Sequence, residues 1–223
     1  MFKMHALTAA LLASILTVSL LVTLNQSGAR DASAPATELR DPYAGIPQDG
    51  LSLGRKDAPL TLVEFADLQC PFCRDYAVQV LPQIVERYVR TGQLRLELRV
   101  LRFLGPDSVT AAAGAAAAAQ HDRLWQYADL FYQRQGAENS GYVTQDFLHE
   151  VASDAGLKTQ PFTRAIAERR AERMARDAEA EAKLLAVEGT PSFFIGPTGG
   201  ALRPMQISAL EFGQFATAIE SAR

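Results

Sequence analysis

Residues Val63 to Cys73 read VEFADLQCPFC, and the overlapping stretch Pro59 to Ala66 (PLTLVEFA) is a short apolar run rich in β-formers that stops at Asp67. A run of that length and type reads as a buried strand. The cysteines follow directly, as Cys70-Pro71-Phe72-Cys73, and from there the apolar residues Tyr76, Val80, Leu81, Ile84, Val85 and Tyr88 recur at spacings of three and four. That spacing predicts an amphipathic helix ending near Thr91-Gly92, kinked at Pro82. The cysteines therefore stand at a strand-to-helix junction. Proline costs no hydrogen bond in the first turn of a helix, so a helix starting around Pro71 places Cys70 beside unpaired N–H groups and the positive dipole end. Such surroundings lower a cysteine pKa from about 8.5 to roughly 3.5–7.5. Cys73 lies nearly one helical turn on, close enough to form a disulfide with Cys70. On this reading Cys70 attacks and Cys73 resolves.

The chain has 223 residues and these two cysteines alone, so with both used in one motif no structural disulfide remains to staple a small scaffold. The motif can be a redox dithiol, half of a metal site, or two inert core residues. Structural zinc needs two more ligands, and His5, His121 and His149 are scattered without paired spacing. Two thiolates suffice for copper(I), and a delivery module of that kind has Met174 and Met205 as candidate further ligands by residue type. Inert core cysteines explain neither Pro71 nor the junction. Gly-rich phosphate loops are absent from the strand–helix units, so nucleotides and flavins are not implied. With 22 basic against 25 acidic residues and a net charge of -3, no basic surface offers itself to nucleic acid.

A hydrophobic content of 48% suits one well-buried domain. Ahead of it, Lys3 and His5 precede an uncharged run from Ala6 to Leu24. The run approaches the roughly 20 residues that cross a bilayer and exceeds the roughly 7–15 of a cleaved signal peptide. Residues 1–29 are expected to form a single-pass membrane anchor, with Ser27-Gly28-Ala29 leaving signal cleavage and a secreted or periplasmic form open. Positive charge before the run sends the remainder outside the cytoplasm. Residues 30–50, with Pro35, Pro42 and Pro47, read as a flexible tether, and 51–223 as the folded domain.

Within the domain, Gln93 to Leu101 (QLRLELRVL) alternates apolar and charged residues, as a half-exposed strand does. Gly105-Pro106-Asp107 breaks the chain. An Ala-rich helix is expected from Ser108 to about Arg134, then helices over Thr144 to Ala155 and Pro161 to Val187. Thr190 to Ile195 reads as a strand, Gly196 to Gly200 as a turn, and Ala201 to Gln206 as a second strand. Ser208 to Ala222 reads as a helix capped by Ser208, with Glu211 at the capping-box position. The order describes an α/β sheet with a helical insertion at about 105–187.

Three stretches, VEFADLQCPFC (Val63 to Cys73), AAAGAAAAAQHDRLWQYADLFY (Ala111 to Tyr132) and VEGTPSFFIG (Val187 to Gly196), occur in the order found in one family. The chain resembles the DsbA-like branch of the thioredoxin superfamily, in particular its members that follow an N-terminal membrane segment. The resemblance implies a thioredoxin-like fold with an inserted helical subdomain and a protein-disulfide oxidoreductase. It also implies a cis bond at Thr190–Pro191, where Thr190 backbone pairs with an extended substrate beside Cys70, Pro71 and Phe72. Glu64, six residues ahead of Cys70, takes the place of a buried acid that accepts the Cys73 proton through water. No cofactor beyond the Cys70–Cys73 disulfide is implied. The expected partners are exported proteins with cysteine thiols and a quinone-linked membrane protein of the DsbB or vitamin-K-epoxide-reductase type, and the protein is expected to be monomeric. Phe72 stands where DsbA has histidine and cannot donate to the Cys70 thiolate, which favours a less oxidising couple. A reductase fed across the membrane is the enzyme alternative, ahead of an isomerase, whose extra N-terminal dimerisation domain has no counterpart in so short a tether; from another class, the alternative to copper(I) delivery is a module that holds a client peptide beside Pro191.

Overall fold

Strand β3 (Leu60–Ala66) is buried at every one of its seven positions, as a strand covered on both faces must be. It pairs in parallel with β4 (Leu94–Val100) and antiparallel with β5 (Ser192–Pro197). The short strands β1 (Gln48–Asp49) and β2 (Ser52–Leu53) extend the sheet beyond β4, and β6 (Arg203–Pro204) extends it beyond β5. The computed structural model describes residues 41–223, and within them the sheet runs β1-β2-β4-β3-β5-β6. The expected anchor or signal segment and the first part of the tether lie outside the described residues. Among those described, no helix is long and apolar enough to cross a membrane.

Register decides which side chains share a face. Glu64 sits opposite Leu98 on one side and Phe193 on the other, so these three point together. The opposite face carries Val63, Phe65 and Phe194, packed under Ala178 and Ala182. Over the Glu64 face lies helix α1, which passes without interruption through Pro71–Asp75, a π-helical turn Tyr76–Val80, Leu81–Ile84 and a second π-helical turn Val85–Val89. All six apolar positions expected to face the core are buried. Pro82 is accommodated by a widened turn: the N–H of Leu81 reaches back five residues to the Tyr76 carbonyl. Tyr76 packs with ring centroids 4.6 Å from Phe193 and 5.1 Å from Phe215.

The insertion between β4 and β5 comprises α2 (Pro106–Ala119), α3 (Leu124–Gln133), α4 (Gln145–Asp154), α5 (Thr159–Ala167) and α6 (Arg169–Leu184). The Ala-rich segment is two helices, broken where Asp122 takes φ 54° and its carboxylate accepts the Gly50 N–H at 2.7 Å. The fold is thioredoxin-like with a helical insertion. The alternate face of β4 is not open to solvent throughout, because Arg99 pairs with Glu97 and with Glu181 of α6, both at 2.7 Å.

Two expectations give way. Residues 41–50, expected as tether, belong to the compact unit Asp41–Arg223. Tyr43 is buried with its ring centroid 6.2 Å from that of Trp125, and Arg90 donates to the carbonyls of Pro42 at 2.6 Å and Ala44 at 3.0 Å. Composition reads this segment as tether because its prolines and polar residues outnumber one decisive aromatic. The last helix, α7 (Phe212–Glu220), starts later than expected, with Glu211 as its N-cap residue. The Gln214 side chain, three residues in, accepts the N–H groups of Ser208 and Ala209 at 2.8 and 3.3 Å, so the reach-back role belongs to Gln214 and not to Glu211.

Candidate active site

Cys70 is the N-cap residue of α1, in extended conformation at φ -71° and ψ 122°, with Pro71 in the first turn as its lack of an N–H allows. Both cysteines are free thiols, Cys70 5% and Cys73 0% exposed. The loop bringing Cys70 to this place is pinned at its base: Asp67, wholly buried, accepts the N–H groups of Gln69 at 2.9 Å, Phe103 at 2.8 Å and Leu104 at 3.0 Å. Across from Cys70, the Thr190–Pro191 bond is cis, and the Thr190 carbonyl accepts the Cys70 S–H at 3.3 Å. Four residues expected at the site, Cys70, Cys73, Thr190 and Pro191, thus converge from 120 residues apart in the chain.

The two thiols differ sharply. Cys70 is lowered from 9.0 to about 6, chiefly because the Cys73 S–H donates to its sulfur; burial opposes this, and the Thr190 hydroxyl and the N–H groups of Cys73 and Phe72 reinforce it. Cys73 is pushed well above 9.0 by burial first, then by donating to Cys70 and by the negative charge of Glu64. The phenyl ring of Phe72 supplies nothing to the thiolate, yet the Phe72 backbone N–H does. That N–H is one of the helix-start donors the sequence placed beside Cys70.

Glu64 is 4% exposed and is raised from 4.5 to about 8, by burial first and by the neighbouring Cys70 charge second. Its Oε1 and the Tyr76 hydroxyl have no hydrogen-bond partner among the described residues. Burial likewise holds the Tyr76 and Tyr132 hydroxyls protonated, with the Glu64 charge adding to both. Glu64 is therefore a neutral acid over most of the physiological range, close enough to Cys73 to raise its pKa.

Phe72 is 63% exposed, at the lip of a groove of about 600 Å³ whose other walls include Thr190, Pro191, Val187, Met205 and Ile207. The groove is open, with polar and apolar surface in comparable measure, and Thr190, which bonds Cys70, is part of its lining. Of the two methionines singled out as candidate metal ligands, Met205 lines this groove, whereas Met174, on α6, lines a separate small cavity with Ala112 and Val100. Among the described residues, no three His, Cys, Asp or Glu side chains gather as a metal site.

Sequence reading missed a polar belt around the dithiol. Gln69, 1% exposed, donates to Ser108 Oγ at 2.9 Å and accepts the Asn139 N–H at 2.7 Å, and the Gln135 amide donates to the carbonyls of Leu68 at 2.8 Å and Cys70 at 3.1 Å. The available signal was local: Asp67 and Gln69 are polar residues between a buried strand and a buried cysteine, where each polar group needs a partner.

A family model described as thioredoxin matches residues 47–208. The chain is 34% identical over 149 residues to the "Probable disulfide bond formation protein D" of Bacillus cereus, covering 65% of this chain and 68% of that protein. In structure it superposes on oxidised BdbD of Bacillus subtilis with a TM-score of 0.68 at 19% identity, over 79% of this chain and 96% of that one. It superposes on alpha-DsbA1 of Wolbachia pipientis with a TM-score of 0.66 at 21% identity, over 77% and 89%. These two similarities bear on the fold.

Proposed function

This chain belongs to the thioredoxin family as a DsbA-like protein-disulfide oxidoreductase, and from that premise we propose that it works as a dithiol oxidase, introducing disulfides into exported proteins outside the cytoplasm. The observation that carries the direction is the asymmetry of the pair, with Cys70 at about 6 and Cys73 far above it. A stabilised thiolate makes Cys70 a good leaving group and stabilises the reduced enzyme relative to its disulfide, which is what an oxidant requires.

In the proposed cycle a substrate thiolate attacks Cys70 Sγ of the disulfide. The Cys70–Cys73 bond breaks, a mixed disulfide forms at Cys70, and Cys73 leaves as a thiolate that takes a proton. A second substrate thiolate attacks the substrate sulfur of the mixed disulfide, forming the product disulfide and releasing Cys70 as thiolate. Two electrons have passed to the enzyme and two protons have left the substrate thiols. Glu64, neutral when Cys73 is expelled, donates that proton, and takes it back when the enzyme is reoxidised. Thr190 backbone, Pro191, Pro71 and Phe72 hold the substrate peptide at the groove mouth. Reoxidation falls to a membrane redox protein of the DsbB or vitamin-K-epoxide-reductase type, and the enzyme acts as a monomer whose only redox group is its own disulfide.

The test is the equilibrium potential of the Cys70–Cys73 pair against a glutathione series, together with oxidation of a reduced, unfolded disulfide protein. A potential near or above about -180 mV with stoichiometric substrate oxidation supports the oxidase, while one near about -270 mV makes the protein a reductase. A copper(I) titration of the reduced protein separates both from metal delivery, which stoichiometric binding resistant to a chelator would favour.

A further inference from the structure

The peptide joining Cys70 to Pro71 has no N–H, so only its carbonyl can hold it in place. That carbonyl accepts the Arg74 N–H at 3.1 Å, the first bond of α1, and also the Gln135 amide at 3.1 Å. The second hydrogen of the same amide goes to the Leu68 carbonyl at 2.8 Å. Gln135 thus straddles Gln69, whose own side chain is fixed between Ser108 and the Asn139 N–H. Asn139 in turn donates to the Leu104 carbonyl at 2.7 Å. Gln135 and Asn139 both come from the segment joining α3 to α4, so the helical insertion grips the loop that carries the nucleophile.

Resting on the redox reading above, we infer that Gln135 is a positioning residue for the dithiol: it fixes the tilt of the peptide that presents Cys70 and aims the first N–H groups of α1 at its sulfur. The N–H groups of Phe72 and Cys73 lie immediately beyond that peptide, and their direction follows its plane. Gln135 is half-buried beside the chain surface, so water can satisfy the two carbonyls when the amide is removed. The fold then survives while the aim is lost. Gln135 acts through Cys70 and touches no sulfur.

The test compares Gln135→Leu and Gln135→Met, two neutral side chains of similar length without donors, with Gln120→Leu. Gln120 bonds the carbonyls of Ala116 and Ala165 within the same insertion and provides the purely structural control. Thiolate absorbance of the reduced protein is titrated, and the potential of the pair is measured in parallel. Both Gln135 variants are expected to stay folded, to raise the Cys70 midpoint by about one unit, a tenfold loss of thiolate below the midpoint, and to shift the potential toward reduction. Gln120→Leu is expected to lower the melting temperature and leave the Cys70 midpoint where it was. An unchanged midpoint in both Gln135 variants overturns the inference, as does an equal shift in Gln120→Leu or failure of both Gln135 variants to fold. The redox reading fails separately, if the wild-type pair forms no disulfide or oxidises no substrate, and the thiolate titration is readable in either case.

Discussion

Replacing Glu64 by Gln should abolish the pH dependence of stability that this residue creates. In the folded protein Glu64 titrates at about 8 instead of 4.5 because it is buried. Its folded pKa lies above its unfolded one, so its contribution is fully favourable below about 4.5 and is lost as pH rises through about 8. Each unit in that window costs the wild type about 1.4 kcal/mol, and integration from pH 5 to pH 8 gives a loss of roughly 3–4 kcal/mol. Glutamine does not titrate, and its buried amide, like the neutral carboxyl it replaces, carries a polar atom without a partner, so what it costs relative to the neutral acid is the same at every pH. The variant should therefore gain on wild type by roughly 3–4 kcal/mol between pH 5 and pH 8. Urea unfolding of the disulfide form at pH 5, 6.5 and 8 isolates the effect, because the cysteines no longer titrate and burial, the larger cause, persists. A stability difference constant to within about 1 kcal/mol over this range would refute the reasoning, since it would mean that Glu64 ionises freely in the folded state.

Cys73→Ala removes the leading donor to Cys70, and the pH midpoint of Cys70 alkylation should rise from about 6 toward 9.0; an unmoved midpoint would assign the thiolate to the helix N–H groups alone. Arg90→Ala deletes the two bonds to the Pro42 and Ala44 carbonyls and should cost about 1–2 kcal/mol. Amide exchange at Tyr43 should accelerate with it, and unchanged exchange would show that the aromatic packing on Trp125 suffices. Gly196→Ala drives a Cβ into the Ala201 backbone carbonyl in the connection between β5 and β6, and backbone yields less readily than the end of a side chain. A loss of roughly 1–3 kcal/mol with faster exchange along β5 and β6 is expected, and a neutral result would mean that the turn after β5 relaxes freely.

The strand, the cysteine pair, the amphipathic helix and the alternating β4 were legible because each is written in a local period or in neighbouring residue types. Thr190 and Pro191 were legible through the resemblance of VEGTPSFFIG, which places them beside a motif 120 residues away. Other features had no local signature. Tyr43 and its neighbours belong to the domain only because Trp125 and Arg90 are there to receive them. Gln135 looks like any polar residue after a helix until the fold sets its amide against Leu68 and Cys70. Glu64 could be named from its place before the cysteines, but its charge state could not, because desolvation is set by everything packed above the strand. Sequence alone determined which elements form and where the thiols lie, since periodicity and helix-start chemistry act over a few residues. Tertiary structure decided which polar groups meet across the chain and how far water is excluded from them, and those two quantities set the chemistry of the pair.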